Sequence, residues 1–400
     1  MTEWIECKLS DLGEIVGGAT PSTKDYSNYD GDIAWLTPKD LSSFSERYIE
    51  KGERSISEKG FKSCSTKMLP INSILFSSRA PIGYVAIAAK ELCTNQGFKS
   101  IIPNGKVDYM FLYYLLKYKK KEIEGLGSGT TFKEVSGNVM KNVMVYIPKD
   151  KVVQKKIAGI LDKIDCKIEN NNNINRNLSE QMQAIFGSIF YSEMEKENKA
   201  SLGDYLYIKG RIGWKGLKKE EYLSESEYRI INGESLTVTG IDWNKAGYIS
   251  EERYIESPEI MLQEGDILIS KDGTIGKIGY VNKLGKPTSV ASGIFVVRNL
   301  KPEEVSTVFI YCLLNSDYFK SFIASRTEGS VIPHLYQKDF VTLEIPILSQ
   351  EQIELFNSTV VPLFELFFSN QTENIRLAAI RDSLLPKLMS GELDVSDLNI

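Results

Sequence analysis

Two long stretches of the chain carry apolar residues at the three- and four-residue spacing of a helix that buries one narrow face. In the first stretch these positions are Val153, Ile157, Ile160, Ile164, Ile174, Leu178 and Ile185. In the second they are Ile353, Phe356, Val360, Leu363, Phe367, Leu377, Leu384 and Leu388. The pattern predicts two helical segments, residues 150–198 and 349–400, each containing a helix about 60 Å long.

Short signals mark the second helix. Ser349 and Gln352 have the spacing of a capping box at its start, and the glycine of "SGEL", from Ser390, supplies a stop. Pro362 should kink this helix or make it restart, because proline lacks the backbone N–H that continues a helix.

A narrow apolar stripe of this length needs a partner, since an isolated helix of this kind is not stable in water. Each helix could pack on its own neighbouring domain, or the two could pair antiparallel. We favour pairing because the stripe is narrower than a docking face, and polar positions such as Asn171 and Asn374 would fix the register. The residues expected at the helix–helix interface are Ile157, Ile160, Ile164, Asn171, Leu178, Ile185, Phe356, Val360, Leu363, Phe367, Asn374, Leu377 and Leu384.

The remaining segments, residues 1–149 and 199–348, have a mixed texture. Short β-branched and aromatic runs are broken by Gly, Pro, Asn and Asp, which indicates short strands joined by turns. In each segment one helix interrupts the strands, over residues 109–123 in the first and 306–323 in the second.

The two mixed segments repeat each other. "ILFSSRAPIG" begins at Ile74 and "ILISKDGTIG" at Ile267, and other phrases recur in the same order at offsets between 190 and 200 residues. So many collinear matches indicate an internal duplication. The predicted fold class is therefore α+β: two homologous mixed α/β domains related by a pseudo-twofold and joined by two long antiparallel coiled-coil helices.

Charge is distributed unevenly along the chain. The net charge is −5, while Lys and Arg minus Asp and Glu gives 20 − 18 = +2 over residues 1–150 and 8 − 7 = +1 over 151–199. The balance is 17 − 20 = −3 over residues 200–349 and 3 − 8 = −5 over 350–400. The first half therefore stays compatible with an anionic partner, because binding depends on where the cations lie.

The patterns of several protein classes are missing. Five scattered cysteines fit a reducing cytoplasm rather than a disulfide framework, and we expect neither a secretory signal nor a membrane span. With His334 as the single histidine, a histidine-pair metal site within one chain is impossible. The motifs G-x-x-x-x-G-K-[ST], H-E-x-x-H and G-x-S-x-G are absent from the sequence. We therefore expect no catalytic residues, no metal and no cofactor in this chain.

The repeated phrases are candidate binding loops. Each follows an apolar run and presents hydroxyls and charged side chains, a composition that suits phosphate or base contacts. The alternative is an ordinary hairpin turn whose repetition reflects ancestry alone. Divergence between the copies, with Arg79 against Asp272, favours binding, because the frame is kept while the side chains differ. "GSGTTFKEV" from Gly127, "EGSVIPHLYQKD" from Glu328 and "IKGRIGWKGLKK" from Ile208 are further candidates.

Together these phrases resemble the specificity subunit of a type I DNA restriction–modification system. The resemblance covers essentially the whole chain and includes "WLTPKDL", "ILFSSRAPIG", "ILISKDGTIG", "SGIFV" and "IRDSLLPKLMSGEL". It implies two target-recognition domains that each read one half of a split, asymmetric site in double-stranded DNA. It also implies that the paired helices act as a spacer and dock two methyltransferase subunits, which use S-adenosylmethionine. A motor-nuclease restriction subunit, which uses ATP and magnesium, would join for restriction.

The candidate DNA contacts are Thr37, Lys39, Ser77, Ser78, Arg79, Ser128, Thr130, Thr131, Lys133, Arg211, Lys215, Lys271, Asp272, Thr274, Ser330, His334, Gln337 and Lys338. A second hypothesis is a protein-only adaptor whose paired helices assemble partners. A third is a self-contained nuclease, although no acidic cluster with metal-ligand spacing supports it.

Overall fold

The computed structural model describes residues 2–42, 44, 46–129, 133–327, 334–396 and 398. It contains two compact units. Unit 1 comprises residues 1–171 together with 373–400, and unit 2 comprises residues 172–372. Unit 2 is therefore continuous in sequence, whereas unit 1 is completed by the last residues of the chain.

Unit 1 contains ten strands and four short or medium helices before the first long helix, counted over the described residues. The strands are β1 (Trp4–Lys8), β2 (Gly13–Gly17), β3 (Tyr29–Leu36), β4 (Tyr48–Ile49), β5 (Ser55–Ile56), β6 (Ile74–Ser78), β7 (Ile82–Ala88), β8 (Cys93–Thr94), β9 (Lys99–Pro103) and β10 (Met144–Pro148). The helices are α1 (Leu9–Leu12), α2 (Glu58–Lys62), α3 (Tyr109–Gly125) and α4 (Gly137–Lys141).

These strands form a five-stranded sheet in the order β2-β9-β6-β7-β4, a three-stranded sheet in the order β5-β3-β8, and the pair β1-β10. Strand β6 is buried along its whole length, as its continuous apolar start predicts. Helix α3 begins after Asp108, whose carboxylate accepts hydrogen bonds from the backbone N–H groups of Met110 and Phe111. Its buried face packs with β6 and β7 in one core.

Two long helices are shared by the units. The first is α5 (Lys151–Met194). Unit 2 then continues with strands β11 (Lys199–Ser201), β12 (Leu206–Gly210), β13 (Tyr228–Ile231), β14 (Leu236–Thr237), β15 (Gly240–Ile241), β16 (Gly247–Ile249), β17 (Ile267–Ser270), β18 (Ile278–Tyr280), β19 (Thr288–Val290), β20 (Ile294–Asn299) and β21 (Glu344–Pro346). Its helices are α6 (Glu251–Ile255), α7 (Thr307–Asn315), α8 (Asp317–Thr327) and α9 (Gln337–Val341), and the second long helix is α10 (Gln350–Met389).

Unit 2 repeats the strand plan of unit 1. Its four-stranded sheet has the order β12-β20-β17-β18, which matches β2-β9-β6-β7, and its three-stranded sheet β16-β13-β19 matches β5-β3-β8. In both three-stranded sheets the last pairing is the parallel one. The fold class predicted from the sequence, two similar mixed halves with two long helices, is confirmed.

One predicted element is wrong in detail. The single helix expected over residues 306–323 is divided into α7 and α8 at Ser316, whose backbone is extended, with φ −75° and ψ 161°. The Ser316 hydroxyl donates to the Leu313 carbonyl at 2.6 Å and accepts from the Phe319 backbone N–H at 3.3 Å. A serine that bonds to the local backbone in this way competes with helix continuation.

The start of α10 follows the predicted capping box. The Ser349 backbone N–H donates to Gln352 Oε1 at 2.9 Å, and the Gln352 backbone N–H donates to Ser349 Oγ at 3.3 Å. The helix continues through Pro362 without restarting, and Gly391, with φ +78°, follows its end.

The long helices run antiparallel in both units. In unit 1, Asn171 of α5 donates to Asn374 Oδ1 at 2.9 Å, and Arg381 Nη1 lies 2.7 Å from Asp165 Oδ1. In unit 2, Asn370 Nδ2 donates to Asn175 Oδ1 at 2.9 Å, and Gln352 Nε2 donates to Glu193 Oε1 at 2.7 Å. Residue numbers rise along one helix as they fall along the other, and paired amides lie where the sequence places asparagines.

The buried face of each helix is broader than a strict heptad stripe. Ile157, Leu178, Phe356 and Val360 are buried as expected, while Ile160, Ile164, Ile185, Leu363, Phe367, Leu377 and Leu384 are only partly buried. The most buried neighbours are instead Leu161, Met182, Phe186, Phe190, Phe364 and Phe368. Ile174 is exposed because Asn175 takes the facing position. The shift arises because the helices pack on each other and also on the core of each unit.

A buried charged cluster attaches the mixed part of unit 1 to α5. The Arg47 side chain is 5% exposed; it contacts Asp162 and lies 2.6 Å from Glu169 Oε2. Burial alone lowers the pKa of Arg47, but its hydrogen bonds to Glu169 and Cys166 outweigh burial and raise that pKa. Nearby, the Tyr114 hydroxyl donates to Asp165 at 2.8 Å. The cluster therefore consists of charges that each need their partners.

Replacing Arg47 with alanine should destabilise unit 1 strongly, because it leaves two carboxylates of α5 without their cation. We expect a loss of about 1.5–3 kcal/mol in the free energy of unfolding, because Asp162 and Glu169 are 35% and 22% exposed and water can partly solvate them. Hydrogen exchange of the α3 amides during a urea titration would measure it. The control is Lys62→Ala, which removes an exposed ion pair with Glu58 and should cost no more than about 0.5 kcal/mol. Equal losses for both variants would contradict this role of the cluster.

Candidate nucleic-acid interface

The two repeated phrases form the same hairpin turn. Ser77, at the end of β6, donates its hydroxyl to the Pro81 carbonyl at 2.8 Å and accepts from the Tyr84 backbone N–H at 2.8 Å. Ser270, at the end of β17, donates to the Thr274 carbonyl at 2.6 Å and accepts from the Lys277 backbone N–H at 2.8 Å. The first serine of each phrase therefore holds the turn together from inside.

The next residue of each phrase is anchored through its backbone. The N–H of Ser78 donates to the Gly97 carbonyl at 2.8 Å, and the equivalent Lys271 N–H donates to the Gly293 carbonyl at 2.9 Å. The carbonyls of these two residues accept from the backbone N–H groups of Val135, at 3.0 Å, and Leu335, at 3.2 Å, respectively. Each loop is thus tied to the segment before the next short helix, residues 133–136 before α4 and 334–336 before α9. We call this segment the return segment.

Two glycines end the phrases in a left-handed conformation. Gly83 has φ +94° and Gly276 has φ +85°. A Cβ atom at Gly83 would come within 2.6 Å of the Lys120 side chain on α3. The recurring "IG" of both phrases therefore reflects a backbone requirement as well as close packing.

In unit 1, charged side chains next to the anchored loop backbone contact one another. Arg79 Nη1 lies 3.7 Å from Glu134 Oε2, and Lys99 Nζ lies 3.3 Å from Glu134 Oε1. The side chains of Arg79 and Glu134 are 34% and 39% exposed, so a ligand can reach them. Lys133, on the return segment, and Ser128, whose backbone pairs with that of Glu134, are exposed as well.

Unit 2 offers a different set at the equivalent place. His334 Nδ1 contacts Asp272 Oδ1, and Lys271 Nζ lies 3.8 Å from Asp272 Oδ2. Thr274, Gln337 and Lys338 are exposed around this pair. The Lys338 ammonium lies 5.3 Å from the centre of the Tyr336 ring.

Several candidate DNA-contacting residues are buried and hydrogen-bonded within the protein. Ser77 and Ser78 are fully buried, so their hydroxyls cannot face a ligand. Arg211 is 3% exposed, and its guanidinium donates to the Val290 carbonyl and to the hydroxyls of Ser257 and Ser289. These three candidates are therefore corrected to structural roles.

The remaining candidates have mixed positions. Thr37 begins a short 3₁₀ turn and donates its hydroxyl to Asp40 at 2.8 Å, and Lys39 is exposed in an ion pair with Glu53. Lys215 is half-buried and donates to the Glu256 carbonyl at 2.7 Å. Thr130, Thr131 and Ser330 lie outside the described residues.

Two features bear on other kinds of site. No helix in the described part of the chain is long and apolar enough to cross a membrane. Within the same part, no three histidine, cysteine, aspartate or glutamate side chains are grouped so that they could hold a metal ion.

Comparison with known proteins places this geometry in a family. The family model described as "Type I restriction modification DNA specificity domain" matches residues 1–180 and again residues 193–356. The chain belongs to this family. The type I restriction enzyme MjaIX specificity subunit of Methanocaldococcus jannaschii is 34% identical, over 99% of this chain and 95% of the relative. The MjaVIII specificity subunit of the same organism is 20% identical over 99% of this chain and 94% of its own.

A solved structure shares the fold. The crystal structure of the type I restriction–modification S subunit from M. genitalium has a TM-score of 0.56 and 21% identity, covering 97% of this chain and 96% of its own. The two family matches fall one on each repeat, so the specificity domain occurs twice in this chain.

Sequence reasoning missed two members of the unit 1 site, Lys99 and Glu134. Glu134 had a signal, because it aligns with His334 when "GSGTTFKEV" is matched to the segment from Thr327. Lys99 had none, because it begins β9, far from Glu134 in the sequence, and only the folded chain brings the two side chains together.

Gly83→Ala tests the geometry of the specificity-domain hairpin. A Cβ in the left-handed region and against Lys120 should lower the free energy of unfolding by about 1–2 kcal/mol. Thermal unfolding monitored by circular dichroism would measure the change. Gly105→Ala is the matched control, because nothing lies within 4 Å of its added Cβ. If both variants melt at the same temperature, the hairpin does not require a glycine there.

Proposed function

We propose that this chain is the non-catalytic, DNA-reading subunit of a type I restriction–modification complex. One observation carries the proposal: a chain of the DNA specificity family contains the same anchored hairpin twice, with different exposed side chains on each copy. The same backbone structure with different side chains is suited to two domains that recognise two different short DNA sequences. Residues 1–149 and 199–348 are the proposed recognition domains.

The proposed target is a bipartite, asymmetric site in double-stranded DNA. Unit 1 offers Ser128 and Lys133 for base contacts, and unit 2 offers Thr274, Gln337 and Lys338, while the charged residues Arg79, Lys271, Asp272 and His334 lie beside them. Lysine pairs with phosphates and guanine edges, glutamine pairs with adenine, and hydroxyls contact several base edges. Because the two sets differ in donors and acceptors, the two half-sites should differ in sequence.

The long helices, residues 150–198 and 349–400, are proposed to set the spacing between the half-sites and to dock two methyltransferase subunits. In this proposal S-adenosylmethionine belongs to those partners, and ATP with magnesium belongs to a restriction subunit. Exposed apolar side chains along the helices, including Ile174, Leu355 and Leu366, are available for such contacts. The complex would act in the cytoplasm.

Charge also fits a subunit that works inside a complex. The net charge of −5 is unfavourable for binding a polyanion without help, since nonspecific DNA affinity comes from neutralising phosphates. We infer that the partner subunits supply most of the phosphate contacts and that this chain supplies base discrimination. The alternative function, a protein-only assembly adaptor, requires no change in DNA methylation when the chain is removed.

Exchanging residues 1–149 for the corresponding segment of another family member tests the proposal. Single-molecule methylation sequencing of cells carrying the complete complex should show that one half of the methylated motif changes and that the other half and the spacing stay the same. The matched control exchanges residues 199–348, which should change only the other half. Changes in both halves from one exchange would refute the modular reading. A methylome that does not depend on the chain would support the adaptor.

A further inference from the structure

In each unit the return segment contacts the loop of the repeated phrase at the same position. In unit 1 the bond between Val135 and Ser78 leaves the side chains of Arg79 and Glu134 facing each other; in unit 2 the bond between Leu335 and Lys271 does the same for Asp272 and His334. Each contact therefore joins a loop residue, Arg79 or Asp272, to the return-segment residue just before Val135 or Leu335. The two contacts are equivalent because the same backbone hydrogen bonds flank them.

The two contacts have opposite polarity. In unit 1 the basic side chain, Arg79, is on the loop and the carboxylate, Glu134, is on the return segment. In unit 2 the carboxylate, Asp272, is on the loop and the basic side chain, His334, is on the return segment. A direct base contact would need a particular chemical group on the loop. A contact that only holds the loop needs a basic side chain and a carboxylate facing each other, in either order. That attraction between loop and return segment is what the two units share.

A lysine also lies beside each carboxylate. Lys99, with 15% of its side chain exposed, lies 3.3 Å from Glu134, and Lys271, with 13% exposed, lies 3.8 Å from Asp272. The carboxylate is therefore held from two sides in both units. Half-buried cations lose less attraction to solvent and salt than fully exposed ones, which makes the arrangement suitable for holding a loop.

We propose that these contacts, Arg79–Glu134 and Asp272–His334, are loop latches: positioning pairs that hold each loop in the geometry that reads DNA. The inference rests on the proposed function and adds that these four side chains act through loop placement. The bases are then read by the exposed neighbours of the latch, such as Lys133 in unit 1 and Thr274 or Lys338 in unit 2.

Charge reversal and re-pairing test the latch of unit 1. In the complete complex with its methyltransferase subunits, Arg79→Glu should reduce methylation of target sites by about five- to tenfold, because a partly exposed pair is worth up to about fivefold and two facing carboxylates add repulsion. Glu134→Arg should reduce it similarly. The triple variant R79E/E134R/K99Q, in which Lys99→Gln removes the cation that would otherwise face the reversed charge at position 134, should recover methylation to within about twofold of Lys99→Gln alone. The methylated motif should be the same in all of them.

Three outcomes would overturn the latch. A triple variant that methylates no better than the poorer single variant would show that the pairing is not what matters. A changed base in the motif would show that Arg79 or Glu134 reads DNA directly. Single reversals without any effect would also remove the pair from function. Absence of any split motif in the wild type would instead contradict the proposed function, so the two failures are distinguishable.

A matched pair controls for surface charge. Lys90 and Glu50 form an ion pair of 2.6 Å with both side chains well exposed, and Lys90 follows the other end of β7. Lys90→Glu, Glu50→Lys and their combination should leave methylation unchanged. In unit 2, His334→Gln keeps a donor for Asp272 and should retain methylation, whereas His334→Ala should lose it about fivefold. Thermal unfolding of every purified complex would separate loop effects from misfolding.

Discussion

The burial of the two long helices is the constraint on which the rest of the structure depends. Neither helix could remain ordered in water with an apolar face exposed, so each is covered by the other and by the core of a mixed domain. The facing asparagines Asn175 and Asn370 fix which residues meet, because a shifted register would leave their amides buried without partners.

The two units attach to the helices by different physical means. Both have an apolar core on the helices, but unit 1 adds buried charges, with Arg47 held by carboxylates of α5 and the Tyr114 hydroxyl donating to Asp165. Unit 2 uses aromatic packing, in which Phe186 and Phe309 rings lie 4.9 Å apart and Phe364 packs edge-on against Tyr280. The same strand plan is therefore compatible with a directional polar attachment and with a less directional apolar one. The duplication conserved the sheets more closely than their attachment.

Much of this architecture could be predicted because it is periodic or repeated. Helix spacing revealed α5 and α10, and recurrence of the "SSRAPIG" and "SKDGTIG" phrases revealed that the halves share one plan. The roles of individual side chains could not be predicted in the same way. In the sequence, Ser77 and Arg211 look like DNA-contacting residues. In the structure, Ser77 holds a turn together and Arg211 is buried inside unit 2. Hydrogen-bond partners distant in sequence decide such roles, as Lys99 and Glu134 also show.

The discontinuity of unit 1 affects how the chain folds during synthesis. Its core includes Leu388 and Met389 beside Ile157 and Leu161, so it cannot close until residue 389 has been translated. Unit 2 is continuous and has both of its helical parts available earlier. Domains translated first ordinarily fold first, but here the second-encoded domain is complete before the first.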